Sequence, residues 1–377
     1  MKKILSLLLI SVMLFALAAC GEAPTGTDVP SDTEKTEAQS SRKPGNTQST
    51  DGKTESDEPE DSDDAVVFDT PEAVLAASKH HVALCDQLNG RVVIRDLAVA
   101  DWSDEASVVW EYNHDTQGHE NYGWIAGVKF RHSEYYGGDV LLFCAPRSKG
   151  YIVSMETKEV LLEAVNAGAN PHTVELLPNG TFIVGSSNDG TVNVYAPGET
   201  EPCYTEKVAG NDKGTPDVHG VLWDPEYEVL WVAGGQKLRS YIVIGPEDAP
   251  ELVLYEEYDA PKGAIHDLCP VYGDKTALLI TTIGGIIKFD KEAEKFSYNY
   301  SCSAVGRKYE YIPGCGLYAD GVLTFTAITE ETKVYQDWDT DVVFACIPYG
   351  KEKRKVIKYK VPGDAYYKLR IYDTNYQ

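Results

Sequence analysis

The stretch Asn170-Pro171-His172-Thr173-Val174-Glu175-Leu176-Leu177-Pro178-Asn179-Gly180 runs from an apolar, β-prone segment into a tight turn. Its first half recurs as Val218-His219-Gly220-Val221-Leu222 and as Ile265-His266-Asp267-Leu268-Cys269, each histidine forty-seven residues after the last. A turn follows each histidine strand, at Pro178-Asn179-Gly180, Asp224-Pro225-Glu226 and Tyr272-Gly273-Asp274. Second strands follow at 181–185, 229–233 and 277–282, then further Gly- or Asn-rich turns and a third strand. A more polar fourth strand closes each unit. Short apolar runs between Gly, Asn and Asp turns, without a 3.6-residue period, are an all-β pattern. A self-similar period of this length with four strands is a propeller blade.

Counting outward, the pattern starts at Trp124, 48 residues before His172, and again near Pro313-Gly314, 47 after His266. The N-terminal strands at 81–86, 91–97 and 108–112 lack an inner partner, which the alternating segment 366–372 can supply. The expected fold is therefore a six-bladed β-propeller of four-stranded blades, closed by pairing the N- and C-terminal strands. A seven-bladed count is the rival. Closure removes the strand edges that would otherwise template aggregation. One helix is expected at 70–78, with Thr70 as its cap and Pro71 at its first position.

The chain divides into three parts. Lys2 and Lys3 precede an apolar run from Ile4 to Leu17, which is too short to span a bilayer and has the form of a signal peptide over 1–19. Leu17-Ala18-Ala19-Cys20 resembles the lipobox of bacterial lipoproteins, which implies cleavage before Cys20 and lipid on its thiol. With a second acyl chain such an anchor is stable. The stretch 20–65 carries 13 acidic and 4 basic residues and no aromatic side chain. It reads as a disordered acidic tether, and its length suits a thick, Gram-positive cell wall. The propeller occupies 66–377. The protein is expected outside the cytoplasm, membrane-bound only through its lipid, and monomeric.

Of 377 residues, 43% are apolar, and 59 acidic against 34 basic side chains give a net charge of −25. That excludes a wholly disordered chain and argues against nucleic acid as a partner. Seven cysteines besides Cys20 include no C-x-x-C pair, so neither a zinc knuckle nor a disulfide framework is signalled, although one disulfide is allowed.

The first strand of a propeller blade lines the central channel, so equivalent positions on successive blades converge on one mouth. His172, His219 and His266 are therefore candidate ligand-binding residues, with Trp124 offering a stacking platform in the preceding blade. Three imidazoles plus water can hold a divalent metal ion. The bland alternative ties each histidine to its own blade by a backbone hydrogen bond. Arg131, Arg147 and Lys308 are candidates to bind a carboxylate. Glu175, three residues after His172, falls on the opposite face by strict alternation unless the strand is bulged, which reads as a structural role. No G-x-S-x-G elbow, phosphate loop, EF-hand or H-E-x-x-H helix is present.

The histidine-bearing strands resemble a family of exported bacterial β-propeller lipoproteins without assigned function, over roughly residues 80 to 375. More remotely they are similar to propeller-type polysaccharide lyases. That resemblance implies histidines and arginines at the channel mouth that bind a uronate and move protons, with His172, His219, Arg131 and Arg147 as catalytic candidates. Three functions are thus expected in order: binding of a small molecule or glycan, uronate-glycan lyase chemistry, or a purely structural or protein-interaction role. In the last, the histidines would stand apart.

Overall fold

The computed structural model describes residues 67–377 except 115–123, 146, 209–216, 262, 284 and 298–310. Cys20, the tether, Cys302 and Lys308 lie outside the described residues. The helix α1 (Pro71–Ala77) forms where expected, and the Thr70 hydroxyl accepts from the Ala73 amide at 3.2 Å. No helix among the described residues is long and apolar enough to cross a membrane.

Twenty-four described strands follow in chain order. The first three are β1 (His81–Asp86), β2 (Arg91–Asp96) and β3 (Val108–Asn113). The second blade is β4 (Gly127–Ser133), β5 (Gly138–Ala145), β6 (Lys149–Ser154) and β7 (Val160–Ala164). The third is β8 (Pro171–Leu176), β9 (Phe182–Ser186), β10 (Thr191–Tyr195) and β11 (Tyr204–Lys207). The fourth is β12 (Gly220–Asp224), β13 (Val229–Gly234), β14 (Lys237–Ile244) and β15 (Glu251–Asp259). The fifth is β16 (Ile265–Pro270), β17 (Ala277–Thr282), β18 (Gly285–Asp290) and β19 (Lys295–Ser297). The sixth is β20 (Tyr311–Leu317), β21 (Leu323–Ile328), β22 (Val342–Tyr349) and β23 (Lys353–Lys360). The last strand, β24 (Tyr366–Ile371), returns to the first sheet in the order β24-β1-β2-β3. All six sheets are four-stranded and antiparallel, and they form a six-bladed propeller closed by the two ends of the domain.

Packing explains why these strands read as continuous apolar runs rather than as one-sided alternation. Each sheet is buried on both faces, against the preceding blade and the following one. In β1, Val82 and Leu84 face the sixth blade, while Ala83 and Cys85 face the second. Six apolar clusters of this kind fill the spaces between neighbouring sheets. Trp231 packs between blades, against Phe289 at a centroid distance of 5.7 Å, with its indole N–H on Asp224. Where inner strands crowd, side chains vanish: a Cβ on Gly127 would lie 2.6 Å from the His172 carbonyl oxygen.

Five described cysteines are free, and four of these, Cys85, Cys144, Cys269 and Cys315, are buried in the sheets. Cys346 is disulfide-bonded.

Candidate functional site

The six inner strands meet around one mouth, and β-bulges aim their side chains into it. In β8, Pro171 pairs with Ser186 and Thr173 with Gly185, leaving His172 as the extra residue. In β16, Ile265 pairs with Thr282 and Asp267 with Thr281, leaving His266 extra. The register also slips after Tyr311 in β20, and in β24 Tyr367 and Lys368 share one partner position on β1. A bulge breaks the two-residue alternation, turning a side chain that would face a blade toward the axis.

The result is a cavity of about 750 Å³ with five aromatic rings in succession around its base. Ring centroids are 4.6 Å apart for His172 and His219, 5.1 Å for His219 and His266, and 4.6 Å for His266 and Tyr311. Tyr367 stands beside them, 5.8 Å from His172. All four of these ring pairs meet edge to face. Trp124 and Trp338 add a wall, with centroids 5.5 Å apart. The Trp338 indole donates to Gln87 Oε1 at 3.1 Å, and the Gln87 amide donates to the Ile125 carbonyl. Opposite them stand Asn170, Ser187 and Asn188, linked by hydrogen bonds of 3.1–3.3 Å.

Protonation follows from these partners. His172 Nδ1 lies 2.9 Å from the Asn170 carbonyl oxygen. A carbonyl only accepts, so Nδ1 carries the proton of the neutral ring and Nε2 is an acceptor. Burial, then the neighbouring rings and Lys368, push His172 and His219 well below the ordinary imidazole value. Burial and Lys368 bring His266 down to about 4. Asp217 is the one carboxylate among the described lining residues, 2.5 Å from His219 Nδ1 but out of hydrogen-bond alignment. Burial raises its own carboxyl.

The three histidines come together, as the repeat implies, and they do not stand apart as a structural role alone would place them. They are not arranged as a metal centre. Adjacent blades set the rings edge against face around the circle. Among the described residues no three His, Cys, Asp or Glu side chains are placed to hold an ion.

Trp124 lines the cavity but does not occupy the histidine position. Ala126 does. Its amide bonds the Cys144 carbonyl while Gly127 pairs with Cys144, as His219 bonds Ala233 while Gly220 pairs with Ala233. The sixth blade is shifted likewise, with Tyr311 rather than Pro313 or Gly314 at the mouth.

Neither arginine lies among the histidines. Arg131 is buried along the axis, forked onto Glu175 through two bonds of 2.8 Å. Arg147 is exposed and does not line the cavity. Glu175 is structural: it also accepts from Lys129 at 3.0 Å and from the Leu176 and Trp223 amides. Directly under the rings, Lys368 donates to the His172 and His219 carbonyls at 3.0 and 2.6 Å. Arg370 grips Asp267 with two guanidinium nitrogens. Tyr376 lies against Arg131, 4.5 Å from guanidinium carbon to ring centroid, and its hydroxyl donates to the Leu176 carbonyl. Among the described residues that line the cavity there is no Lys or Arg, so none of them supplies the carboxylate clamp implied by the lyase resemblance.

Residues 60–331 match the Family of unknown function (DUF6528), well over half of the chain. The chain belongs to the DUF6528 family. No curated protein matches it, so the remote likeness to polysaccharide lyases gains no support. The DUF6528 match spans the three histidines, Trp124 and Tyr311, and it ends before Trp338 and Tyr367. Those two, with Asp217 and Lys368, are what sequence reasoning missed. Tyr367 sits in a strand recognised only for its closing role, and Asp217 stands two residues before a flagged histidine. Nothing in the local sequence marks Lys368 or Trp338.

Proposed function

We infer that this chain is an exported, lipid-anchored recognition propeller whose mouth binds the end of an uncharged glycan or a similar small polyol. The observation that carries it is the described cavity lining: aromatic faces and edges, neutral imidazoles, amides, the hydroxyls of Ser187, Tyr311 and Tyr367, and the Asp217 carboxylate. Sugars offer apolar ring faces to aromatic side chains and hydroxyl donors to acceptors such as His172 Nε2. A pocket of this volume and polarity is of ordinary ligand-binding size. A uronate would meet the Asp217 carboxylate, so neutral sugars are preferred. Export and anchoring rest on the signal-like N-terminus and the Cys20 motif, and the disulfide at Cys346 suits an oxidising compartment.

Titration of the purified full chain with neutral and uronic saccharides, followed by tryptophan fluorescence and calorimetry, tests the binding. Saturable binding of a neutral sugar, weakened about tenfold or more in His219→Ala, is expected. Silence across the whole panel ends this function. Separately, Cys20→Ser is expected to abolish fatty-acid labelling in cells and to release the protein from membranes.

A further inference from the structure

We propose that the site is a chain-end site with two sugar positions: the cavity takes the terminal sugar of a neutral oligosaccharide, and the lip formed by Trp124 and Tyr335 takes the second. This rests on the glycan-binding function above and adds both a direction and a length to it.

The first argument is topological. Six inner strands surround the cavity in a ring rather than flank a groove. Its base is formed by the five rings, with the Lys368 ammonium bonded to the His172 and His219 carbonyls beneath them. Farther down the axis, the Arg131–Glu175 and Arg370–Asp267 pairs and the Tyr376 ring occupy the channel. A chain that enters must therefore stop, and only an end can enter.

The second argument is the lip. The segment 329–341 between β21 and β22 carries Trp338 into the cavity and leaves Tyr335 outside it. Tyr335 is 52% exposed and Val334 beside it 48%, both large apolar side chains left to water. The Tyr335 ring meets Trp124 edge to face at 6.4 Å, and Trp124 meets Trp338 at 5.5 Å. Aromatic surface thus continues without a break from the cavity wall to the outside. The segment is held in a fixed shape, because Asp339 Oδ1 accepts the Tyr335 and Gln336 amides and Thr340 pairs with Tyr366. A platform that rigid loses little entropy when a ring stacks on it. Among the described residues no ring contact continues past Tyr335, so this surface offers two sugar positions.

The test uses the full chain and malto-, cello- and manno-oligosaccharides of one, two and three sugars, with trisaccharides capped by methylation on both terminal sugars. In the series that binds, the disaccharide is expected to bind about three- to tenfold tighter than the monosaccharide, the worth of one aromatic contact. The trisaccharide adds nothing further, and the capped trisaccharide does not bind. Tyr335→Ala removes the gain and leaves monosaccharide affinity unchanged, while Tyr335→Phe keeps the gain. Binding of the capped chain as well as the free one, or a gain that survives Tyr335→Ala, overturns the chain-end site and leaves the glycan function intact. If no series binds at any length, both fall.

Discussion

Glu175 concentrates on one carboxylate the problem of burying charge along a propeller axis. Burial alone would raise its carboxyl, but Arg131 and Lys129 hold it below the usual carboxylate range, while burial brings the Lys129 ammonium down to about 8. It joins β8 to two cations of β4 and to the Trp223 amide of β12. Removing one partner of such a set strands the others in a low-dielectric interior. Glu175→Gln is expected to cost about 3–5 kcal/mol in urea denaturation; a loss below 1 kcal/mol would show that water replaces the carboxylate. The histidines set a second, milder dependence. Unfolding returns each ring to an ordinary value near 6.5, whereas His266 in the fold titrates at about 4. Below pH 6.5 the unfolded chain therefore binds the extra proton, and stability present above 6.5 is lost as pH falls toward 4. The slope for one such group approaches about 1.4 kcal/mol per pH unit. Thermal melts across that window should show a shallower decline for His266→Gln than for the unaltered protein.

At the scale of elements, the segment between β21 and β22 does work that no blade strand can. It reaches over the mouth and delivers Trp338, which Gln87, just past the end of β1, holds in place. That hydrogen bond links the sixth blade to the closing one at the point where a ligand would press on the indole. Trp338→Ala is expected to reduce saccharide affinity by about tenfold or more while leaving the urea midpoint nearly unchanged, since the ring is only partly buried. Gln87→Ala removes one hydrogen bond and should cost less, about two- to tenfold. Equal affinities in all three proteins would remove Trp338 from the site.

For the molecule as a whole, stability depends on closure. Every residue of β24 is buried, and the strand pairs along β1 while packing beside β20 and β4. Without it, β1 presents an open edge, and Lys368 and Arg370 leave Asp267 unpaired on the axis. A chain ending at residue 365 is therefore expected to lose its near-ultraviolet circular dichroism and to aggregate. A monomeric, cooperatively folding truncation would mean that the remaining blades close without it.

The 47-residue repeat, the turn signals and the unpaired terminal strands were enough to specify six four-stranded blades and their closure, as well as the convergence of His172, His219 and His266. A blade is local: its strands pair with neighbours a few residues away, so alternation and turns in the sequence describe it almost completely. The direction of each side chain at the mouth is not local. Bulges at His172 and His266 shift alternation by one, and only strand registers show that Ala126, not Trp124, shares the histidine position. Nor does sequence pair charges across blades. Arg131 has the look of a free anion clamp until ring closure sets Glu175, 44 residues away, against it. Lys368 reaches the His172 carbonyl across 196 residues of chain. Contacts at that separation exist only because the ends of the domain meet, so the composition of the site was decided by closure, and the blade pattern by the sequence.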